Sequence, residues 1–169
     1  MRFTLCVAAT LLFAVPAAAK THAFAIAKVD IEIPDTWKVE TSADSLMAKF
    51  PDSTSGVLFA PHDKEKKGID QVERELESEM RKMFKGLTLE KSKQVTVNGL
   101  KGFEVSGTGE LMGDPIEVRV LALTLADGTV LMGMAFAHPS EIKVNGRAID
   151  GIFKSVRPSK GGKSAKPAQ

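Results

Sequence analysis

The stretch that decides the fold is KQVTVNGLKGFEVSGTGELMGDPIEVRVLALTLADGTVLMGMAFA, residues 93–137. Its segments alternate apolar and polar side chains with a period of two, which is typical of strands with one buried face. Three turn sequences separate the segments: Asn98-Gly99, Met112-Gly113-Asp114-Pro115 and Asp127-Gly128. Asn-Gly and Asp-Gly pairs favour tight turns because both residues tolerate positive φ. The stretch therefore predicts a meander of about four antiparallel strands.

Shorter strands are predicted upstream of this meander. Residues 23–39 alternate in the same way, and Pro34-Asp35 interrupts them because proline fixes φ and donates no ladder hydrogen bond. Leu46–Phe50 and Gly56–Ala60 are two further strand segments, separated by a Pro-Asp-Ser-Thr-Ser turn sequence. The amino-terminal half is therefore also predicted to be rich in strands.

Two helices interrupt the strands. The first is predicted from Asp70 to Lys85, with Asp70 as its cap, Glu73 completing a capping box and Gly86 ending it. Apolar residues three or four apart form its buried stripe: Ile69, Val72, Leu76, Met80, Met83, Phe84 and Leu87. The second helix is predicted mainly over Gly146–Lys154, after an irregular first turn with Ser140 as its cap, although Gly146 and Gly151 weaken the helical pattern.

The first nineteen residues have the pattern of a secretory signal peptide. A basic start at Arg2 precedes an apolar run from Phe3 to Val15, and Ala17-Ala18-Ala19 supplies small residues for cleavage. The run is shorter than the roughly 20 residues that cross a bilayer, and no second run follows. We therefore expect export to the periplasm or the cell exterior, with no transmembrane segment in a mature chain starting near Lys20. The single cysteine, Cys6, lies in this leader, so no thiol or disulfide is expected after cleavage.

Charge divides the chain into a body and a tail. The formal net charge is +2, of which the leader contributes one positive charge and residues 157–169 contribute four, leaving −3 on the rest. A slightly acidic body argues against nucleic acid as the partner. Residues 158–169 are rich in Gly, Ser, Lys and Ala, a composition that predicts a disordered basic tail. The predicted organisation is a signal peptide over 1–19, a globular domain over 20–157 and the tail over 158–169.

The order of four segments resembles the landmarks of the PsbP-like or DcrB-like family. These segments are Ile31–Trp37, Val95–Gly102, Ala126–Leu131 and Ile152–Pro158. The family includes the photosystem II extrinsic subunit, a eukaryotic Ran-binding relative and bacterial secreted proteins. The resemblance implies an α+β fold, an α/β/α sandwich with one twisted, mainly antiparallel sheet flanked by helices. It also implies protein binding or assembly rather than catalysis. Many bacterial members begin as lipoproteins, whereas this chain has no lipobox cysteine.

Five residues are candidates for partner binding. They are Trp37, His62, Asp63, Asp114 and His138. Trp37 after a proline indicates either a core residue or an exposed anchor for a partner. If His62 and His138 lie at one end of the sheet near Asp63 or Glu141, they would form a weak metal or acid–base site. Zinc sites generally need three or four ligands at fixed spacing, so we predict no catalytic residue, no metal and no cofactor.

Four methionines also need an interpretation. Met80 and Met83 on the first helix, and Met132 and Met134 on the last strand of the meander, supply either core packing or thioether ligands for copper. With Leu76, three of them would line an apolar pocket between helix and sheet.

These observations lead to one function and two alternatives. We expect a monomeric, exported, non-enzymatic module for protein interaction or assembly, whose partner is an unidentified protein or cell-envelope component. The first alternative is a periplasmic carrier of a small apolar ligand or a metal. The second is an enzyme that uses a His/Asp pair in the loops.

Overall fold

A computed structural model describes residues 18–62 and 68–159. This part of the chain forms eleven strands, two helices and a short 3₁₀ turn over Ala25–Ala27. In chain order the elements are β1 (Ala19–Phe24), β2 (Val29–Pro34), β3 (Lys38–Thr41), β4 (Leu46–Lys49), β5 (Gly56–His62), α1 (Ile69–Met83), β6 (Lys85–Leu89), β7 (Lys93–Val97), β8 (Leu100–Leu111), β9 (Asp114–Thr124), β10 (Val130–Ala137), α2 (Pro139–Ser155) and β11 (Arg157–Pro158). Neither helix is long and apolar enough to cross a membrane.

Most strands belong to one large antiparallel sheet. Its order is β3-β4-β5-β10-β9-β8-β6, and β7 pairs with the first part of β8 while β6 pairs with the last part. The predicted meander is confirmed as β7 to β10, and its tight turns lie where the Asn-Gly and Asp-Gly pairs were recognised. A second sheet, with order β1-β2-β11, was not expected.

The large sheet is covered on both faces. Helix α1 contacts β6, β8 and β9, whereas α2 and the small sheet cover the opposite face. Consecutive residues of β10 show the two-sided burial: Val130 belongs to the apolar cluster beneath α1, and Leu131 belongs to the cluster beneath α2. This arrangement confirms the α+β class and the α/β/α sandwich.

Helix α1 has the predicted stripe but not the predicted ends. Val72, Leu76 and Met80 are buried, as their spacing indicated. Its amino-terminal cap is Gly68 rather than Asp70, and no side chain caps this end. Glu73 instead accepts a hydrogen bond from Ser92, so the capping box is wrong.

The carboxyl end of α1 also differs from the prediction. The extended residue Phe84 ends the helix, and its N–H donates to the carbonyl of Met80. Gly86 has φ 62° but lies within β6, where the register with β8 shifts between Lys85 and Thr88. Its positive φ therefore serves a β-irregularity rather than a helix end. Leu87, predicted on the helix, is a strand residue of β6.

Helix α2 starts earlier than expected, at Pro139. Proline suits the first helical turn because it needs no hydrogen-bonded N–H there. His138, not Ser140, is the cap, and its Nδ1 accepts from the Ser140 N–H at 3.3 Å. Gly146 does not break the helix, because it lies beneath the Arg119 guanidinium, 3.4 Å from where a Cβ would be placed. Contacts with the sheet thus compensate for its low helix propensity.

The small sheet joins the two ends of the described chain. Pro158 pairs with Val29, and the Ser159 N–H donates to the carbonyl of Lys28. Arg157 Nη1 lies 2.5 Å from Glu32 Oε1 on β2. The first two residues of the predicted tail, Pro158 and Ser159, are therefore bound to β2 and its preceding residue. Residues 160–169, like the leader residues 1–17, lie outside the described residues.

Candidate functional site

The strands of the large sheet end at two opposite sides, which we name after their turns. The Met112 end carries the Met112–Gly113 turn between β8 and β9, the start of α2 at His138 and the last residue of α1, Met83. The Asn98 end carries the Asn98–Gly99 turn between β7 and β8 and also His62, the last residue of β5. These two ends are the places where loops and turns converge into surfaces.

The structure places at opposite ends of the sheet the two histidines whose meeting would have made a metal or acid–base site. His62 is opposite Val130, the first residue of β10, whereas His138 follows Ala137, the last. At roughly 3.3 Å per residue, the two histidines lie about 26 Å apart along the strand. The condition for a joint His62–His138 site is therefore not met, because neighbouring antiparallel strands finish at opposite ends of a sheet. Asp63, one of the two carboxylates considered for that site, lies outside the described residues.

His62 and His138 also differ in their surroundings. The Nε2 atom of His62 is buried and has no hydrogen-bond partner among the described residues, of which His62 is the last before residue 68. His138 is exposed, and its Nδ1 lies 2.7 Å from the Ser140 hydroxyl. The structure thus gives His138 a local capping role at the Met112 end.

Asp114 lies at the same end as His138. It is the exposed first residue of β9, paired with Leu111 across the tight turn. Of the predicted candidates, Asp114 and His138 are therefore brought to one end of the sheet, and His62 is at the other. The carboxylate of Glu141 in the first turn of α2 is bound by the hydroxyls of Ser53 and Ser55, at 2.6 and 3.3 Å.

Trp37 is a core residue and not a surface anchor. Its side chain is only 6 % exposed and packs edge-on against Phe50, with ring centroids 4.9 Å apart. The backbone N–H of Trp37 donates to the carbonyl of Pro34. The turn that begins at this proline, which was predicted to interrupt the strand, therefore places the indole in the core. Of the two interpretations of Trp37, the structure selects the core role.

Three of the four methionines take part in packing. Met80 is fully buried in the cluster beneath α1, and the half-buried Met132 and Met134 pack against the same cluster, which also contains Leu76. These four side chains therefore belong to one apolar cluster between α1 and the sheet. Met83 was predicted to belong to the buried stripe of α1, but its side chain is 53 % exposed at the Met112 end.

Sequence reasoning missed the most exposed apolar side chain of the described chain, Met112. It is 100 % exposed and has φ 55°, followed by Gly113 with φ 95°. Two consecutive positive φ values in a two-residue loop define a type I′ turn, in which Asn or Asp normally precedes Gly. The turn itself was predicted. The available signal was that a methionine stands where the turn chemistry favours a short polar side chain.

Two surface carboxylates have lowered pKa values, and neither lies beside the Met112–Gly113 turn. Asp127 is at the Asn98 end, and Glu40 is on the edge strand β3, which three strands separate from β9. A hydrogen bond from the Thr129 backbone N–H, with a smaller contribution from Lys28, lowers the pKa of Asp127 at the Asn98 end. Lys49 and then Lys38 lower the pKa of Glu40 on β3 to about 2. These shifts reflect a turn and a surface ion-pair triad. No group of three or more His, Cys, Asp or Glu side chains in residues 18–62 and 68–159 is arranged to hold a metal ion.

A polar cleft of about 150 Å³ lies beside α2, on the face opposite α1. Arg119 at its centre is bound to Glu117 at 3.0 Å and to Asp150 at 3.3 Å. The guanidinium is therefore already paired with the protein's own carboxylates, and these ion pairs link β9 to α2.

Known proteins of similar structure support the fold described above. No protein-family model and no curated protein matches the chain. Several solved structures resemble it, among them the following three. The protein of unknown function PA94 from Pseudomonas aeruginosa has a TM-score of 0.55 at 17% identity and covers 81% of this chain and 94% of its own. LpqN of Mycobacterium tuberculosis, described as involved in cell envelope biogenesis, has a TM-score of 0.55 at 16% sequence identity. The match covers 86% of this chain and 86% of LpqN. The cyanobacterial PsbP, CyanoP of Synechocystis, has a TM-score of 0.56 at 8% sequence identity. The match covers 90% of this chain and 96% of CyanoP.

The chain thus has the PsbP-like fold, as the resemblance in the sequence implied. At these identities the likeness concerns the arrangement of helices and strands, and fold alone does not assign a function. The function must be argued from the surface of this chain.

Proposed function

We propose that this chain is an exported, non-enzymatic module that binds a protein partner through its Met112 end. One observation carries the proposal: the two exposed methionines, Met83 and Met112, lie at the same end of the sheet as Asp114 and His138. Apolar side chains that remain exposed together often mark interaction sites. Methionine is well suited to such sites because its flexible thioether adapts to different surfaces.

Export and an envelope setting rest on two further observations. The leader over residues 1–19 has the sequence pattern of a secretory signal peptide. The similarly folded LpqN is described as involved in cell envelope biogenesis. Together they favour a partner that is a protein of the cell envelope, encountered after export.

The alternative of ligand carriage draws less support from the described residues. Leu76, Met80, Met132 and Met134, which were expected to line its pocket, pack into one apolar cluster instead. A bound apolar ligand would have to displace Met80, which is fully buried. The interaction module therefore accounts better for where the apolar side chains lie.

Site-specific photo-crosslinking in cells that export the protein tests the proposal. p-Benzoylphenylalanine is placed at Met83 or Pro115 at the Met112 end, and at Asp127 in the exposed turn at the Asn98 end as the matched control. We expect one discrete protein adduct from Met83 or Pro115 and none from Asp127. Equal adducts from all three positions, or none from a protein shown to be folded by circular dichroism, would contradict the proposal.

A further inference from the structure

We infer that Met112 is the anchor of this interaction, and that it inserts into an apolar pocket with a basic rim on a protein partner. The inference deepens the proposed function and rests on it. Its basis is the combination of full exposure, an unfavourable backbone conformation and flanking carboxylates at one turn.

The chain contains its own reference for this turn. Asn98 and Met112 both precede a glycine in two-residue loops, with φ values of 48° and 55°. Asn98 suits the left-handed conformation, and its side chain donates to the carbonyls of Lys154 and Val156. Met112 has the same conformation, which a methionine side chain disfavours, and it is fully exposed. Folding thus gains nothing from a methionine here, so the residue is best explained by a contact outside the chain.

The position of the turn favours insertion into a partner. Glu117 is opposite Ala137, the last residue of β10, and Glu110 is opposite Lys85, the first residue of β6. The β8–β9 hairpin therefore extends past both neighbouring strands, and Met112 is at its tip. Its pairing is continuous from Gly102 opposite Leu123 to the turn, so the tip is presented on a preformed support. A preformed anchor loses little conformational entropy on binding.

Charges next to the tip indicate the chemistry of the partner. Glu110 and Asp114 are exposed and lie within two residues of Met112 on the two strands. Lysine or arginine side chains around an apolar pocket would complement these carboxylates. The same carboxylates disfavour insertion into an anionic membrane surface, which attracts basic segments. A protein partner is therefore favoured over a bilayer.

Two substitutions at one position test the anchor, with the crosslinker kept at Met83 or Pro115. Met112→Asn restores the preferred Asn-Gly turn and removes the thioether, whereas Met112→Leu keeps a large apolar side chain. We expect the adduct to fall at least about tenfold with Met112→Asn and to stay within about twofold with Met112→Leu. Met112→Asn should also raise the melting temperature, so the loss of binding cannot come from unfolding.

Charge reversal and vesicles test the partner class. Asp114→Lys, combined with Glu110→Lys, should reduce the adduct at least about tenfold if the rim is basic. Sedimentation with phosphatidylcholine vesicles containing one quarter phosphatidylglycerol should leave the purified protein in the supernatant.

The outcomes separate the inference from the proposed function. An adduct that persists with Met112→Asn, or that is lost equally with both Met112 variants, overturns the anchor and leaves the module intact. An adduct that is unchanged by charge reversal, or that proves to be a lipid, overturns the partner class. No adduct from Met83 or Pro115 in the parent protein overturns the proposed function itself.

Discussion

Asn98 connects the β7–β8 turn to the end of α2: its side-chain amide donates hydrogen bonds of 2.9 Å to the carbonyls of both Lys154 and Val156. Carbonyls at the end of a helix have no partner within the helix, so a side-chain donor here stabilises the helix end. Asn98 therefore serves the turn through its backbone and the helix through its side chain. The bonds fix the end of α2 against the sheet at the Asn98 end.

The first prediction concerns these two bonds. Asn98→Gly keeps a residue that accepts positive φ but removes the amide, so we expect a loss of about 1 kcal/mol or more in the free energy of unfolding. The control is Met112→Gly, the same change at the same turn position without a side-chain bond to lose. It should leave the stability unchanged or raise it, because glycine tolerates the positive φ that methionine disfavours. Urea denaturation of both variants measures the difference, and equal losses would show that the amide bonds contribute nothing.

The second prediction concerns a close approach in the core. A Cβ at Gly133 would lie 2.5 Å from Phe59 Cε1 and 3.2 Å from Phe153 Cε1. Phe59 is fully buried and packs edge-on against Phe153, with centroids 6.1 Å apart, so it has little room to move. Gly133→Ala should therefore destabilise the protein by about 1–3 kcal/mol.

Gly151 on α2 provides the matched control for Gly133. No atom lies within 4 Å of the Cβ that an alanine would place there. Gly151→Ala should stabilise the protein by about 0.5–1 kcal/mol because alanine is the better helix former. Differential scanning calorimetry should show melting temperatures that shift in opposite directions, and a parent-like value for Gly133→Ala would refute the steric argument.

The fold was largely predictable because its local signals agree with its global arrangement. The turn pairs around Asn98 and Asp127 fix where the meander reverses, and the spacing of Val72, Leu76 and Met80 fixes the buried face of α1. Helix α2 was predicted too short because Gly146 lowers the local propensity. What compensates is a contact with Arg119, far away in the sequence, which no local pattern reveals.

The candidate site was harder to predict because it depends on the order of the strands. Recognising that His62 and His138 follow strands does not say whether those strands run in the same direction. Once β5 and β10 are antiparallel neighbours, the two histidines must lie at opposite ends. Trp37 and Met112 show the same limit, since sequence identifies a tryptophan or a turn but not which side chain faces solvent.

The third prediction separates the structural role of Trp37 from a role in binding. Trp37→Ala removes a buried indole next to Phe50 and should cost about 3–5 kcal/mol in the free energy of unfolding. Trp37→Phe keeps an aromatic ring and should recover a large part of that loss. Photo-crosslinking from Pro115 should be unchanged in the folded Trp37→Phe protein. A stable Trp37→Ala protein that has lost the adduct would instead restore Trp37 as a partner anchor.

The last prediction is a pH dependence centred on Glu40. Its carboxylate accepts from Lys49 Nζ at 2.7 Å and from Lys38 Nζ at 2.9 Å, and these bonds, that of Lys49 first, lower its pKa from 4.5 to about 2. A carboxyl group whose pKa is lower in the folded state stabilises the protein above its unfolded pKa, and this contribution is lost as the pH falls. Glu40→Gln should therefore lower the melting temperature near pH 6. The difference from the parent should vanish between about pH 4.5 and pH 2.

Because Glu40 is exposed, 1 M NaCl should weaken the effect. The control is Glu79→Gln, at an exposed position of α1. Its melting temperature should not show the same pH-dependent difference from the parent, because Glu79 is not part of the ion-pair triad. An NMR titration of the Glu40 carboxyl carbon measures the pKa directly, and a midpoint near 4.5 would show that the two lysines do not hold the carboxylate in solution.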